Sequence, residues 1–220
     1  MAKGQTVSGI DIEPGDAAAA DISIFYNDEI LLSGQRSSIA FGATISNIGS
    51  KITYTASIDR DFIPTNFAIG SALTVPIDEY NRIGIAFDIN KLLVPTPSSL
   101  DLDANNRLDY KEKSPIDGAL GSFSDAPGGF AEEIHELMYS LGLEYWYTEQ
   151  FAVRAGYLNE HSTKGNRKYF TVGLGVNYQV FELNFSYLVP TSNQPNPLDN
   201  TVRFSLMFDF DAFTPMSIEP

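Results

Sequence analysis

The chain has 220 residues, enough for one all-β domain, and its 28 Asp and Glu against 14 Lys and Arg give a net charge of −14, which argues against a nucleic-acid partner. Cysteine is absent, so disulfide and thiolate chemistry are excluded. The mean hydropathy of −0.10 and the lack of any long apolar run exclude a transmembrane helix but not a β-barrel, whose alternating strands average to neutral hydropathy.

The start, MAKGQTVSG, has no apolar core of a secretory leader. An outer-membrane protein needs one, so this reading expects an N-terminally incomplete chain with its leader upstream. A first, irregular strand pattern covers 4–12, and regular ones cover 18–26, 36–48, 64–75 and 82–92, with a short turn at Ile77 to Asn81. The longest connection follows, at about 93–135. It contains a twelve-residue calcium-loop spacing: Asp101, Asp103, Asn105 and Asp109 at positions 1, 3, 5 and 9, the Arg107 carbonyl at 7, and Glu112 at 12. Asn106 stands where glycine is usual. The candidate ligand is Ca²⁺, in a structural role. At the end of the same connection, Phe130, Ile134 and Leu137 are expected on one face of a short helix with His135.

A strand at 137–147 leads into the short turn Thr148–Gln150. If Tyr147 pairs with Phe151, the register places Glu144 opposite Arg154, a favourable cross-strand pair of roughly 0.2–1 kcal/mol. The hydrophilic connection 160–168 offers Lys164 and Arg167. Beyond it Phe170, Val172, Leu174, Val176 and Tyr178 oppose Thr171, Gly173, Gly175, Asn177 and Gln179. After a turn at Val180 and Phe181, Phe181, Leu183, Phe185, Tyr187 and Val189 oppose Glu182, Asn184, Ser186 and Leu188. A long connection at 190–200 precedes a last strand at 201–210, in which Phe204 and Phe208 oppose Arg203 and Ser205. Period two puts these two sets on opposite faces of a sheet. Glu144, Arg154, Glu182 and Arg203 fall on the small and polar face, with Gly42, Gly70, Gly84, Gly142, Gly156, Gly173 and Gly175.

A soluble sandwich and a membrane barrel both fit this alternation, and the connections discriminate between them. Short turns at 77–81, 148–150 and 180–181 alternate with long connections at 93–135, 160–168 and 190–200. Short periplasmic turns and long external loops are the habit of outer-membrane barrels. The expected fold is therefore an all-β, antiparallel transmembrane β-barrel of the outer-membrane type, or the C-terminal part of a larger one. The barrel occupies 1–211, and a periplasmic C-terminal tail follows at 212–220. Fifteen Phe and eleven Tyr suit its aromatic girdles.

The blocks SDAPGGFAEE (Ser124 to Glu133), LGLEYWYTEQFAVRAGYLNEHSTKGNRKYFTVGLGVNY (Leu141 to Tyr178), FSYLVP (Phe185 to Pro190) and NPLDNTVRFSL (Asn196 to Leu206) resemble the PorV family of the Bacteroidetes type IX secretion system. DFIPTNFAIGSAL (Asp61 to Leu73) and AFDINKLLVPTP (Ala86 to Pro97) are similar to the preceding part of that family. The resemblance implies a FadL-like barrel in the outer membrane. It also implies a protein-transport role: binding the C-terminal signal domain of secreted cargo and passing it from the translocon barrel to the sortase and attachment complex at the surface. The external connections would be the contact surface, with Phe130, Ile134, Leu137, Lys164 and Arg167 the candidate contacts. Two other readings remain open. One is a FadL-like channel for hydrophobic small molecules, which the small and charged inward set counts against. The other is a lipopolysaccharide O-deacylase, for which the only histidines, His135 and His161, lie in no nucleophile motif. The reading is therefore of a protein that is not an enzyme, with no cofactor beyond the candidate Ca²⁺.

Overall fold

A computed structural model describes residues 6–7, 10–11, 14–54, 60–105, 107–192 and 200–209. Two short strands, β1 (Thr6–Val7) and β2 (Ile10–Asp11), pair antiparallel. The main sheet has nine strands: β3 (Ala19–Leu32), β4 (Gln35–Gly49), β5 (Asn66–Pro76), β6 (Asn81–Leu92), β7 (Leu137–Tyr147), β8 (Phe151–Asn159), β9 (Lys168–Tyr178), β10 (Phe181–Pro190) and β11 (Val202–Phe208). Each strand lies beside its sequence neighbours, in the unbroken order β11 to β3, so the sheet is an antiparallel up-and-down meander. Among the described residues β3 and β11 do not pair with each other, and the sheet is open, consistent with part of a barrel. No helix among the described residues is long and apolar enough to cross a membrane.

Four connections are tight (33–34, 77–80, 148–150 and 179–180) and four are long (50–65, 93–136, 160–167 and 191–201). In a meander the two kinds must sit at opposite ends of the strands, as the loop-length reading requires. The connection at 33–34 was not foreseen. Strand β3 runs six residues past the expected 18–26 and turns on Ser33 (φ 52) and Gly34 (φ 84), the double positive φ of a two-residue hairpin. Asn27, Asp28 and Glu29 read as loop residues, but they are exposed on an edge strand where polar side chains cost little. Tyr26 Oη donates to Asp28 Oδ2 at 2.7 Å and Ser38 Oγ to Asn27 Oδ1 at 2.8 Å. The turn expected at Val180 and Phe181 sits one residue earlier, at Gln179 (φ 55) and Val180, because Phe181 already pairs with Tyr178. Most of the 190–200 connection, Phe210 and the 212–220 tail lie outside the described residues, as does much of the expected 4–12 strand.

The turn at 77–80 shows why such ends are tight. Asp78 Oδ1 accepts the backbone N–H groups of Tyr80 (2.8 Å) and Asn81 (2.9 Å) and the Asn81 amide (2.7 Å). The Tyr80 N–H, followed by the Asn81 side chain, holds the Asp78 carboxyl below its ordinary pKa. A depressed carboxylate stabilises above its unfolded pKa, and that contribution disappears as pH falls through the folded value. Asp78→Asn should therefore unfold at a lower midpoint than wild type near neutrality and converge on it as pH falls through the carboxylate range. Superimposable midpoint curves from pH 2 to 6 would refute this.

By packing, the chain divides into two compact units. One comprises Phe25–Gly42, Gly70–Ile89 and Met138–Pro220, and contains the register of β7 to β11. The other comprises Met1–Ile24, Ala43–Ile69 and Asn90–Leu137, and contains the long insertion. That insertion is not structureless: it carries α1 (Asp109–Glu112), α2 (Pro115–Gly121) and α3 (Phe130–His135). Ser114 caps α2, its Oγ accepting from Asp117 N at 3.1 Å, and Pro115 occupies the first turn where no N–H is needed.

Candidate functional site

The β7–β11 register sorts side chains onto two faces of opposite character. Tyr145, Val153, Leu174, Phe185 and Phe204 form one row across five strands, and Tyr147, Phe151, Val176, Leu183 and Leu206 form the next. These rows are exposed, Phe185 by 36%, Phe204 by 75% and Leu206 by 54%, and so is Phe208 in the next row, by 50%. On the reverse face Trp146 and Ala152 are 7% and 2% exposed. In β7 to β10 the large apolar side chains are thus the exposed ones and the small and polar face is the more covered one, while the edge strand β11 is exposed on both faces. A two-sheet sandwich has the opposite arrangement, and it would have closed a core over Phe185, Phe204 and Phe208.

On the polar face Glu144 pairs with Arg154 in register, and Arg154 Nε donates to Glu144 Oε2 at 2.5 Å. A second guanidinium nitrogen, NH1, bonds Asn184 Oδ1, and Asn184 Nδ2 donates to Glu182 Oε1 at 2.9 Å. Two guanidinium groups approach the Trp146 ring, Arg82 at 5.1 Å and Arg154 at 5.3 Å from its centroid. Gly175 leaves room for this network, because a Cβ at that position would stand 2.8 Å from Arg154 NH1 and 3.0 Å from Asn184 Oδ1 and would displace those side-chain ends. Arg203, expected in the same network, lies on this face opposite Ser186, in the row that runs through Gly173 to Arg154 and Glu144. The forked geometry makes Arg154 specific, since lysine is a point charge that cannot hold Glu144 and Asn184 at once. Arg154→Ala should cost about 1–3 kcal/mol, below the value for a fully buried pair because both side chains are about a third exposed. Arg154→Lys should recover little of it. Denaturant unfolding read by Trp146, in a cycle with Glu144→Ala, measures the coupling; a value under about 0.3 kcal/mol would contradict the network.

The insertion is held by a second polar cluster, one the sequence did not reveal. Lys91, buried at the end of β6, places Nζ 3.0 Å from Glu133 Oε2 and 2.6 Å from Glu136 Oε2. Glu133 Oε1 accepts from Ala126 N (2.8 Å), and Thr96 Oγ1 donates to Asp125 Oδ1 (2.9 Å). Lys91 has the same parity as the exposed Ile83, Ile85 and Phe87 within β6, so its face is covered at this end. A lysine in that apolar series was the available signal.

In the candidate calcium loop, carboxylate oxygens of Asp101, Asp103 and Asp109 lie within 4.8 Å of one another. Asn105 N donates to Asp101 Oδ1 (3.1 Å) and Asp103 Oδ1 (3.2 Å). Position 12 does not join them: Glu112 is paired with Arg107 at 3.2 Å and accepts from Asn105 Nδ2 at 3.0 Å. Asn106 lies outside the described residues.

Of the candidate contact residues, Phe130 and Ile134 are exposed on α3. Leu137 is not on that helix; Glu136 caps it and Leu137 opens β7, where it aligns with a strand face instead. Arg167 is engaged within its own loop, Nε and NH2 meeting the two Glu160 oxygens at 2.8 and 2.7 Å, which raises the guanidinium pKa further. Lys164 is half-buried in the same loop, and His161 Nδ1 makes a local contact of 2.9 Å with Thr163 Oγ1.

Residues 3–99 match the family model for the type IX secretion system protein PorV. This segment is similar to that family. The match spans β1 to β6 and the first residues of the insertion, and includes the PorV-like blocks Asp61 to Leu73 and Ala86 to Pro97. The other PorV-like blocks, from Ser124 onward, lie beyond it, so the match falls on the part of the chain on which the sequence resemblance leaned less. No curated protein matches the chain.

Proposed function

We propose that the chain is part of an outer-membrane barrel that receives type IX cargo at its long-loop end and passes it from the translocon barrel to the attachment complex. The family match over residues 3–99 carries the secretion role. The exposed apolar face opposite a covered polar one supports lipid as the surrounding medium. The cargo's C-terminal signal domain would meet the long connections, where Phe130 and Ile134 offer apolar contacts. Full chain in lipid nanodiscs should retain a purified signal domain, and Phe130→Asp with Ile134→Asp should abolish retention. Failure of the wild type to retain it, or equal retention by the variant, contradicts the reading.

We further propose that the loop Asp101 to Glu112 holds Ca²⁺ through Asp101, Asp103 and Asp109. Oxygens less than 4.8 Å apart suit an ion with ligands at about 2.3–2.6 Å. Calorimetry should show binding by wild type and none by an Asp101→Ala, Asp103→Ala variant; equal, negligible heats at millimolar calcium would dismiss it.

A further inference from the structure

We propose that a pocket between α2 and the ends of β4 and β5 takes a single hydrocarbon chain of a membrane lipid. The pocket has a volume of about 230 Å³ and is walled by Ile45, Phe67 and Leu93 on one side and Ile116, Ala119 and Leu120 on the other. Its one lining hydroxyl, Thr65 Oγ1, already donates to Asn47 O at 2.7 Å. The remaining lining side chains carry no polar atom, so a polar ligand would enter without a hydrogen-bond partner. The volume is below the roughly 300–1,000 Å³ of sites for compact drug-sized ligands, and suits a narrow chain.

The walls are fixed by backbone devices. Asn47, at φ 57, breaks the alternation of β4, so that Ile45 and Ile48 both line the pocket. Its amide donates to Pro64 O at 3.2 Å, and its N–H to Asp21 Oδ1 at 2.7 Å. On the other side Gly118 lets α2 approach closely, since a Cβ there would stand 2.8 Å from both Phe62 and Pro95.

The occupant follows from the face on which the pocket lies. Leu93 N bonds Thr65 O at 2.8 Å, which aligns Phe67 with Lys91 and gives Phe67 the parity of the exposed Ile69. The pocket therefore opens on the apolar face of these strands. Ile116 and Leu120 remain largely exposed beside it, an arrangement that is unfavourable in water and favourable against acyl chains. The inference rests on the membrane placement proposed above.

Vesicles of phosphatidylethanolamine and phosphatidylglycerol, doped with a phosphatidylethanolamine bearing a terminal acyl-chain diazirine, test both together. On irradiation, label should appear on the Ile45, Phe67, Leu120 and Phe123 peptides and on the Leu174 and Phe204 peptides. Ala119→Trp, which fills the pocket, should reduce pocket labelling about tenfold and leave Leu174 and Phe204 labelling unchanged. Ile48→Phe, filling from the strand side, should do the same and guards against misfolding of the first variant. Labelled Leu174 and Phe204 with an unlabelled pocket, or pocket labelling that neither variant reduces, overturns the pocket alone. Absence of label from all of these peptides overturns the membrane placement, and the pocket with it.

Discussion

Lys91→Met is expected to release the insertion from the strand ends at a cost of about 3–5 kcal/mol, the range for removing one partner of a buried ion pair. The side chain is 4% exposed and faces two carboxylates, at 3.0 and 2.6 Å. Methionine fills a similar volume, so the loss isolates the charge: Glu133 and Glu136 would be left near-buried with no cation between them. Glu133 also caps Ala126 N, so its displacement would loosen the segment leading into α3. Limited proteolysis should then cut within 98–135 in the variant and spare the wild type. The triple change Lys91→Met, Glu133→Gln, Glu136→Gln should recover much of the loss, because neutral amides remove the uncompensated charge. Protection of the single variant equal to wild type would mean that the cluster does not hold the insertion.

Leu174→Arg should destabilise the protein in a bilayer by about 2–4 kcal/mol, the cost of a cationic side chain at the lipid midplane. Leu174 is 55% exposed and lies between Val153 and Phe185 in a row of apolar side chains. An exposed site on a soluble protein tolerates such a change within about 0.5 kcal/mol. The two media therefore predict outcomes several-fold apart for one substitution. The opposite face supplies the control: Thr171→Arg, on the polar side beside Gly156, should cost less in the same bilayer than Leu174→Arg. Denaturant midpoints of the three proteins in vesicles measure the difference, and equal values for Leu174→Arg and wild type would remove the apolar face from contact with lipid.

The C-terminal half of the fold was legible because its information is local. Alternation assigns the faces of β7 to β11, and the three-residue turn at Thr148–Gln150 is enough to count Glu144 onto Arg154. Contacts that span long stretches were not legible in the same way. Lys91 meets carboxylates 42 and 45 residues away, and no periodicity within β6 names them. Parity put Arg203 on the face of Arg154 without naming its row; the register sets the two in one row, with Gly173 and Ser186 between them. The helices of the insertion were partly readable. Ser114, Pro115 and Asp117 form a start signal for α2 that the acidic loop before it overshadowed. Leu137 continues an apolar spacing out of α3, but the chain leaves helical geometry at Glu136, so spacing alone put it on the wrong element.

A membrane barrel requires lipid against the apolar face, and the single tryptophan makes that contact directly measurable. With Trp146→Phe as background, Leu174→Trp places the only indole in the centre of the exposed row. In vesicles of lipid brominated midway along the acyl chains, its emission should be blue-shifted, strongly quenched by bromine and insensitive to iodide added to the water. Red-shifted emission that iodide quenches and brominated lipid does not would show this face in water and contradict the membrane barrel.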